Sequence, residues 1–131
     1  MVTTVESRPH TEAVLAVLAT LGRPVGDCTR PQGNPPFIVV YPGQGGSRNG
    51  TIADPDADAV LYFRIICVGW DRAGAEWMAD RVAEVMPTLS VPGRRAHRIT
   101  LESDSGVSRD DDVTPPLYAA TPLWRLWTSP A

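Results

Sequence analysis

The stretch from Asp58 to Met86 constrains the fold most, because the hydrophobic period changes within it and almost nothing separates the two halves. In the first half, Leu61, Phe63, Ile65 and Cys67 alternate with Val60, Tyr62, Arg64, Ile66 and Val68. Successive strand side chains point to opposite faces, so this reads as a strand with one wholly apolar face and one mixed face carrying an arginine. In the second half, Ala75, Met78, Ala79, Val82, Val85 and Met86 recur at helical spacing. Arg72, Glu76, Asp80, Arg81 and Glu84 take the other side, with Arg72 and Glu76 placed to pair four residues apart. Asp71 stands where a carboxylate can accept from the first free N–H groups of a helix, and Pro87 where a helix must stop. Only Gly69 and Trp70 lie between strand and helix, so the helix folds back onto the strand. Burying Met78, Val82 and Met86 against Leu61, Phe63 and Ile65 would stabilise that unit by roughly 1.5–3 kcal/mol per side chain.

The flanking segments extend this unit. Pro9 suits a first helical turn, Val14, Leu15, Leu18 and Leu21 form a helical stripe, and Gly22 suits a left-handed cap. Residues 23–36 are rich in proline and glycine and read as a loop before a short strand, Phe37 to Tyr41, which can pair antiparallel with 58–69. A second irregular stretch, 42–55, separates those two strands. Beyond the central helix, 96–102 alternates with His97, Ile99 and Leu101 on one face. Residues 103–106 read as a turn and 107–116 as a polar extended segment. The last strand, 117–128, contains Pro122, which predicts an edge position or a bulge. The expectation is a single α+β domain over residues 1–131, with a mostly antiparallel four-stranded sheet and two helices packed on one face.

Composition narrows the function. The chain has 131 residues, 12 basic and 15 acidic, a net charge of −3, and all its basic residues are arginine. An acidic balance disfavours bulk nucleic-acid binding, and the lack of lysine excludes every lysine-dependent mechanism. The two cysteines, Cys28 and Cys67, make no disulfide framework, and Cys67 reads as a small buried thiol. The apolar run 13–21 falls well short of the roughly twenty residues that span a bilayer, so no membrane partner is expected.

Each candidate for chemistry has a simpler explanation. Asp54, Asp56 and Asp58 resemble the start of a calcium loop, but Ala59 and Ile65 stand where that loop needs Gly and Glu. A solvated turn accounts for them better. The glycine loop 43–50 lacks the Gly-Lys-Ser/Thr ending of a phosphate loop. Asp110, Asp111 and Asp112 point in different directions as neighbours, which suits a charged loop or a protein contact more than a metal. His10 and His97 have no Cys or His partner at metal spacing, and no Gly-x-Ser-x-Gly elbow supports a triad on His97. Catalytic residues, cofactor and metal are therefore all expected to be none. Four tryptophans are many for a small domain, and Trp124 and Trp127, three apart on one strand, face opposite ways, so one of them must meet something other than the core.

The chain resembles the tail terminator, or tail completion, proteins of long-tailed phages of high-GC actinobacteria. The resemblance lies in Pro36-Phe-Ile-Val-Val-Tyr41, Asp56-Ala-Asp58 leading into Phe63 to Gly69, Glu76 to Val82, and Pro92-Gly-Arg-Arg95 with 106–112 running on to Tyr118 and Leu126-Trp127. These are strand, helix and turn patterns, and together they cover most of residues 36–128. The resemblance implies a virion structural protein, not an enzyme. It would form a homo-oligomeric ring, usually a hexamer, that caps the tail tube, stops its polymerisation and joins it to the head-side neck during virus assembly in the host cytoplasm. Expected partners are copies of itself, the tail tube protein and the neck or connector protein, with at most weak contact with DNA in the lumen. Two alternatives are a head–tail connector of similar fold and a small cytoplasmic enzyme or ligand-binding domain with its site in loop 43–57. The candidate interface residues are Arg94, Arg95 and Arg98 around one turn, Asp110, Asp111 and Asp112 in another, and Trp124 and Trp127. Opposite-sign patches on one subunit suit a head-to-tail contact that closes a ring.

Overall fold

A computed structural model of the chain describes residues 8–42 and 59–130. The acidic run Asp54, Asp56 and Asp58, the glycine loop and the alternative site in loop 43–57 lie outside the described residues. Helix α1 (Arg8–Ala19) leads to strands β1 (Val25–Asp27), β2 (Phe37–Pro42) and β3 (Ala59–Gly69). Helix α2 (Arg72–Val85) follows. Strands β4 (Arg94–Ala96), β5 (Thr100–Ser103), β6 (Val107–Asp110), β7 (Leu117–Ala120) and β8 (Leu123–Pro130) complete the order.

The β3–α2 unit forms as its periodicity predicts. The Asp71 carboxylate accepts from the Gly74 N–H at 2.7 Å, and Arg72 pairs with Glu76 at 2.7 Å. Pro87 ends α2 by turning the chain into a short 3-10 turn, Met86–Thr88. Gly69 makes the sharp reversal possible: a Cβ there would lie 2.4 Å from the Ala75 nitrogen. Leu61, Phe63, Ile65, Met78, Val82 and Met86 are buried in one cluster. Ala13, Val14 and Leu18 of α1 join it from the same side, together with Ile38 and Val40 of β2.

The class is α+β, but the sheet is larger than the expected four antiparallel strands. Eight strands form one open mixed sheet, and β1 runs parallel to β2. The difference arises because two expected strands are each cut in two, and because the segment read as a loop (23–36) and the one read as polar extended chain (107–116) contribute β1 and β6. Strands β7 and β8 both pair with β3, Cys67 opposite Ala120 and Arg64 opposite Leu123, so they keep a common register across Thr121 and Pro122. Pro122 thus creates neither an edge nor a bulge. It interrupts an interior ribbon without shifting it.

Along the outside of that ribbon run β4, β5 and β6, and here the register slips by one residue at each break and once more within β5. Seventeen residues, Arg94 to Asp110, lie opposite the fourteen from Leu117 to Pro130. Inserted residues bend a strand and sharpen its twist, which also makes an edge a poor template for further pairing. They also flip side chains between faces. His97, Ile99 and Leu101, expected on one face, are therefore divided. His97 stacks on Trp127 on the face without helices, whereas Ile99 packs against the main core and Leu101 pairs opposite the core residue Trp124.

The helix-free face carries a second, smaller cluster of Phe37, Val39, Val68 and Leu117, with Tyr41, Ile66, Val113 and Ala119 packed against it.

Candidate functional site

The two charged runs singled out in the sequence lie at opposite ends of the same outer ribbon. Arg94 pairs with Pro130 at one end and Asp110 with Leu117 at the other. At about 3.3 Å per strand residue, the ends are on the order of 40 Å apart along the ribbon. They cannot pair with each other within one chain.

The arginine end is divided by depth. Arg94 turns inward: its Nε donates to Thr128 Oγ1 at 3.1 Å, and a terminal nitrogen donates to the Thr128 carbonyl at 3.3 Å. Thr128 is fully buried, and its hydroxyl also meets His10 Nε2 at 2.7 Å. His10 shares the α1 stripe of Val14 and Leu18, a spacing that marks it as a buried histidine facing the sheet. Arg95 and Arg98 are exposed and have no partner among the described residues. They are the available cations of this turn.

The acidic end is partly occupied by its own neighbours. Arg109 pairs with Asp111 at 2.6 Å, and Asp110 Oδ1 accepts from the Asp112 N–H at 2.9 Å. All three aspartates are exposed.

Trp124 goes into the main core, 6% exposed, and so leaves the candidate surface. Trp127 is half-buried on the opposite face, where His97 stacks at 4.1 Å between ring centroids and the Arg125 guanidinium lies 6.0 Å from its ring. The two rings do face opposite ways, and the group that Trp127 meets includes His97. His97 Nε2 also lies 2.7 Å from Ser129 Oγ, but among the described residues no carboxylate holds its other ring nitrogen, so the pair lacks the third member of a triad.

A feature that no sequence motif marks lies between α2 and the corner that joins β5 to β6. There a groove of about 320 Å³ is lined by Arg72, Glu76, Ala79 and Asp80 of the helix, by Asp104, Gly106 and Val107 of the corner, and by Ala120 beneath. Asp104 accepts from the Gly106 N–H at 3.0 Å, and Asp80 has no partner among the described residues. Trp77 stands 43% exposed on another flank of the helix, with the Arg81 guanidinium 5.6 Å from its ring. No sequence signal joined these residues, because the groove depends on which strand the bent outer ribbon brings beside the helix.

The thiols offer little chemistry. Burial, with a smaller contribution from Asp104, pushes the Cys67 thiol up to about 12. Cys28 is exposed, and desolvation together with Asp27 raises it above the ordinary range. Neither is poised as a thiolate nucleophile. Among the described residues no group of three or more His, Cys, Asp or Glu side chains is arranged to hold a metal. No described helix is long and apolar enough to cross a membrane. No protein-family model matches the chain, and no curated protein matches it.

Proposed function

We propose that this chain is a structural subunit that forms a ring by head-to-tail contact and caps a phage tail tube, ending polymerisation and joining tail to neck. The single observation that carries the reading is that the exposed Arg95 and Arg98 and the exposed aspartates 110–112 stand toward opposite ends of one sheet edge. A cyclic ring needs two different patches on each subunit, each meeting its complement on the next copy. Opposite charges at such patches steer encounter and reject wrong registers more than they add affinity. The resemblance in sequence supplies the tail context. The arginine turn is the donor patch, with Arg95 and Arg98 its outward members. The acidic end, from Asp104 to Asp112, is the complementary region.

The test is to add the purified chain to polymerising tail tube protein and to follow tube length and tube ends by electron microscopy. Rings at tube ends with arrested growth are expected. Tubes of unchanged length with bare ends would overturn the reading. A head–tail connector, the neighbouring role, would instead bind the neck and leave tube growth unaffected.

A further inference from the structure

We infer that the groove between α2 and the β5–β6 corner is the receptor for the arginine turn of a second copy of this chain. This inference rests on the ring reading for its biological context, but it concerns one contact between two copies. The groove offers three carboxylates, Glu76, Asp80 and Asp104, against one guanidinium, Arg72, which Glu76 already holds. Asp80 and Asp104 have no cationic partner among the described residues. Farther along the same edge, Arg95 and Arg98 have no anionic one among the described residues. Unmatched acids of the groove and unmatched arginines of the turn thus lie on two surfaces of opposite sign.

Shape and lining favour this groove over the nearby aspartate run. Asp111 is taken by Arg109 and Asp110 holds the Asp112 amide, so that run is locally compensated and protrudes without walls. The groove is concave, and at about 320 Å³ it lies at the bottom of the range of roughly 300–1,000 Å³ for small-molecule pockets. That size suits one or two long side chains. Beside it Leu101, 47% exposed, stands on the helix side of the same outer ribbon three residues before Asp104. Apolar atoms beside a charged contact help to exclude water from it. The occupant is therefore a guanidinium-bearing turn, and the chain itself presents one at 94–98.

The test uses two double variants whose substitutions are all at exposed positions. Asp80→Arg with Asp104→Arg reverses the groove, and Arg95→Glu with Arg98→Glu reverses the turn. Self-association is followed by light scattering and native mass spectrometry at low salt, with thermal melts to check folding. Each variant alone should self-associate at least about tenfold more weakly than the parent. An equimolar mixture should regain association, because the intact turn of one variant meets the intact groove of the other. Reversing Asp110, Asp111 and Asp112 should leave association within about twofold of the parent. Undiminished association of the groove variant, or no rescue on mixing, overturns the inference. So does a parent that stays monomeric at every concentration. Loss only in the triple aspartate variant overturns the groove while leaving the ring reading intact. A groove-dependent pair that never closes into a ring supports the contact and removes the ring.

Discussion

The Ile65 amide donates to the Pro122 carbonyl at 3.1 Å, but the return bond expected of that antiparallel pair has no donor, because proline carries no N–H. The Ile65 carbonyl is instead approached by the thiol of Cys67, 3.6 Å away in the buried face of the same strand. A thiol is a weak donor, so this contact only partly replaces a ladder bond. The arrangement explains how proline sits within an interior ribbon while β7 and β8 keep one register.

Pro122→Ala restores the missing donor. A ladder bond adds about 0.5–1.5 kcal/mol, and losing the proline ring gives back about 0.4–1 kcal/mol through the freer unfolded chain. The net stability change should be small. The informative measurement is hydrogen exchange at the new amide of residue 122, which should be as slow as its neighbours in β3. Fast exchange there would mean that the ribbon is open at this point.

Cys67 gives a pH signature. Its thiol ionises near 9.0 when free and is pushed up to about 12 by burial in the fold. Above pH 9 the unfolded chain releases this proton while the folded chain keeps it. The stability tied to the neutral thiol is therefore complete below pH 9 and declines toward pH 12, by at most about 1.4 kcal/mol per pH unit. Cys67→Ala should cost about 1 kcal/mol at pH 7. The gap between parent and variant should close in denaturant melts near pH 10 and reverse by pH 11, and a constant gap would refute the burial argument.

Local pattern made one part of the fold legible and left another hidden. The unit β3–α2 could be read because period, cap, breaker and a two-residue connection all agree within thirty residues of sequence. The outer ribbon could not, because its three one-residue slips are set by pairing with β7 and β8, which no local pattern encodes. For the same reason His97 and Leu101, read as one face, part company. Trp127 was legible as a residue needing a partner outside the core, since strict alternation along β8 forces it away from Trp124. The groove stayed hidden because its walls come from residues more than twenty positions apart. His10 carried a signal of a different kind from metal spacing, its place in the stripe of Val14 and Leu18.

Gly69 tests the connection on which the unit turns. Adding a methyl group would place it against backbone atoms of Gly74 and Ala75, which cannot rotate away as a side chain would. Gly69→Ala should cost about 1–3 kcal/mol by forcing α2 off β3. Gly93→Ala gives a control of a different kind, since nothing lies within 4 Å and only its φ of 73° is strained. A thermal melt of Gly69→Ala matching the parent would show that helix and strand tolerate a looser joint than their packing implies.

Thr128 links the core to the arginine turn. Its buried hydroxyl accepts from Arg94 Nε and can give its own proton to His10 Nε2, so one oxygen ties α1, β4 and β8 together. Thr128→Val keeps the shape and removes both contacts. Weakening two buried hydrogen bonds at once should cost about 1–3 kcal/mol in stability. The Thr128 carbonyl still receives Arg94, so β4 should stay paired while its end loosens. The turn that carries Arg95 and Arg98 begins at that residue, and its loosening raises the entropy lost when it docks on another copy. Self-association should therefore weaken by more than the fold does, with hydrogen exchange at 94–98 rising well before global unfolding. A variant that loses stability but associates as tightly as the parent would show that Arg94 holds the core alone and leaves the turn's position to other contacts.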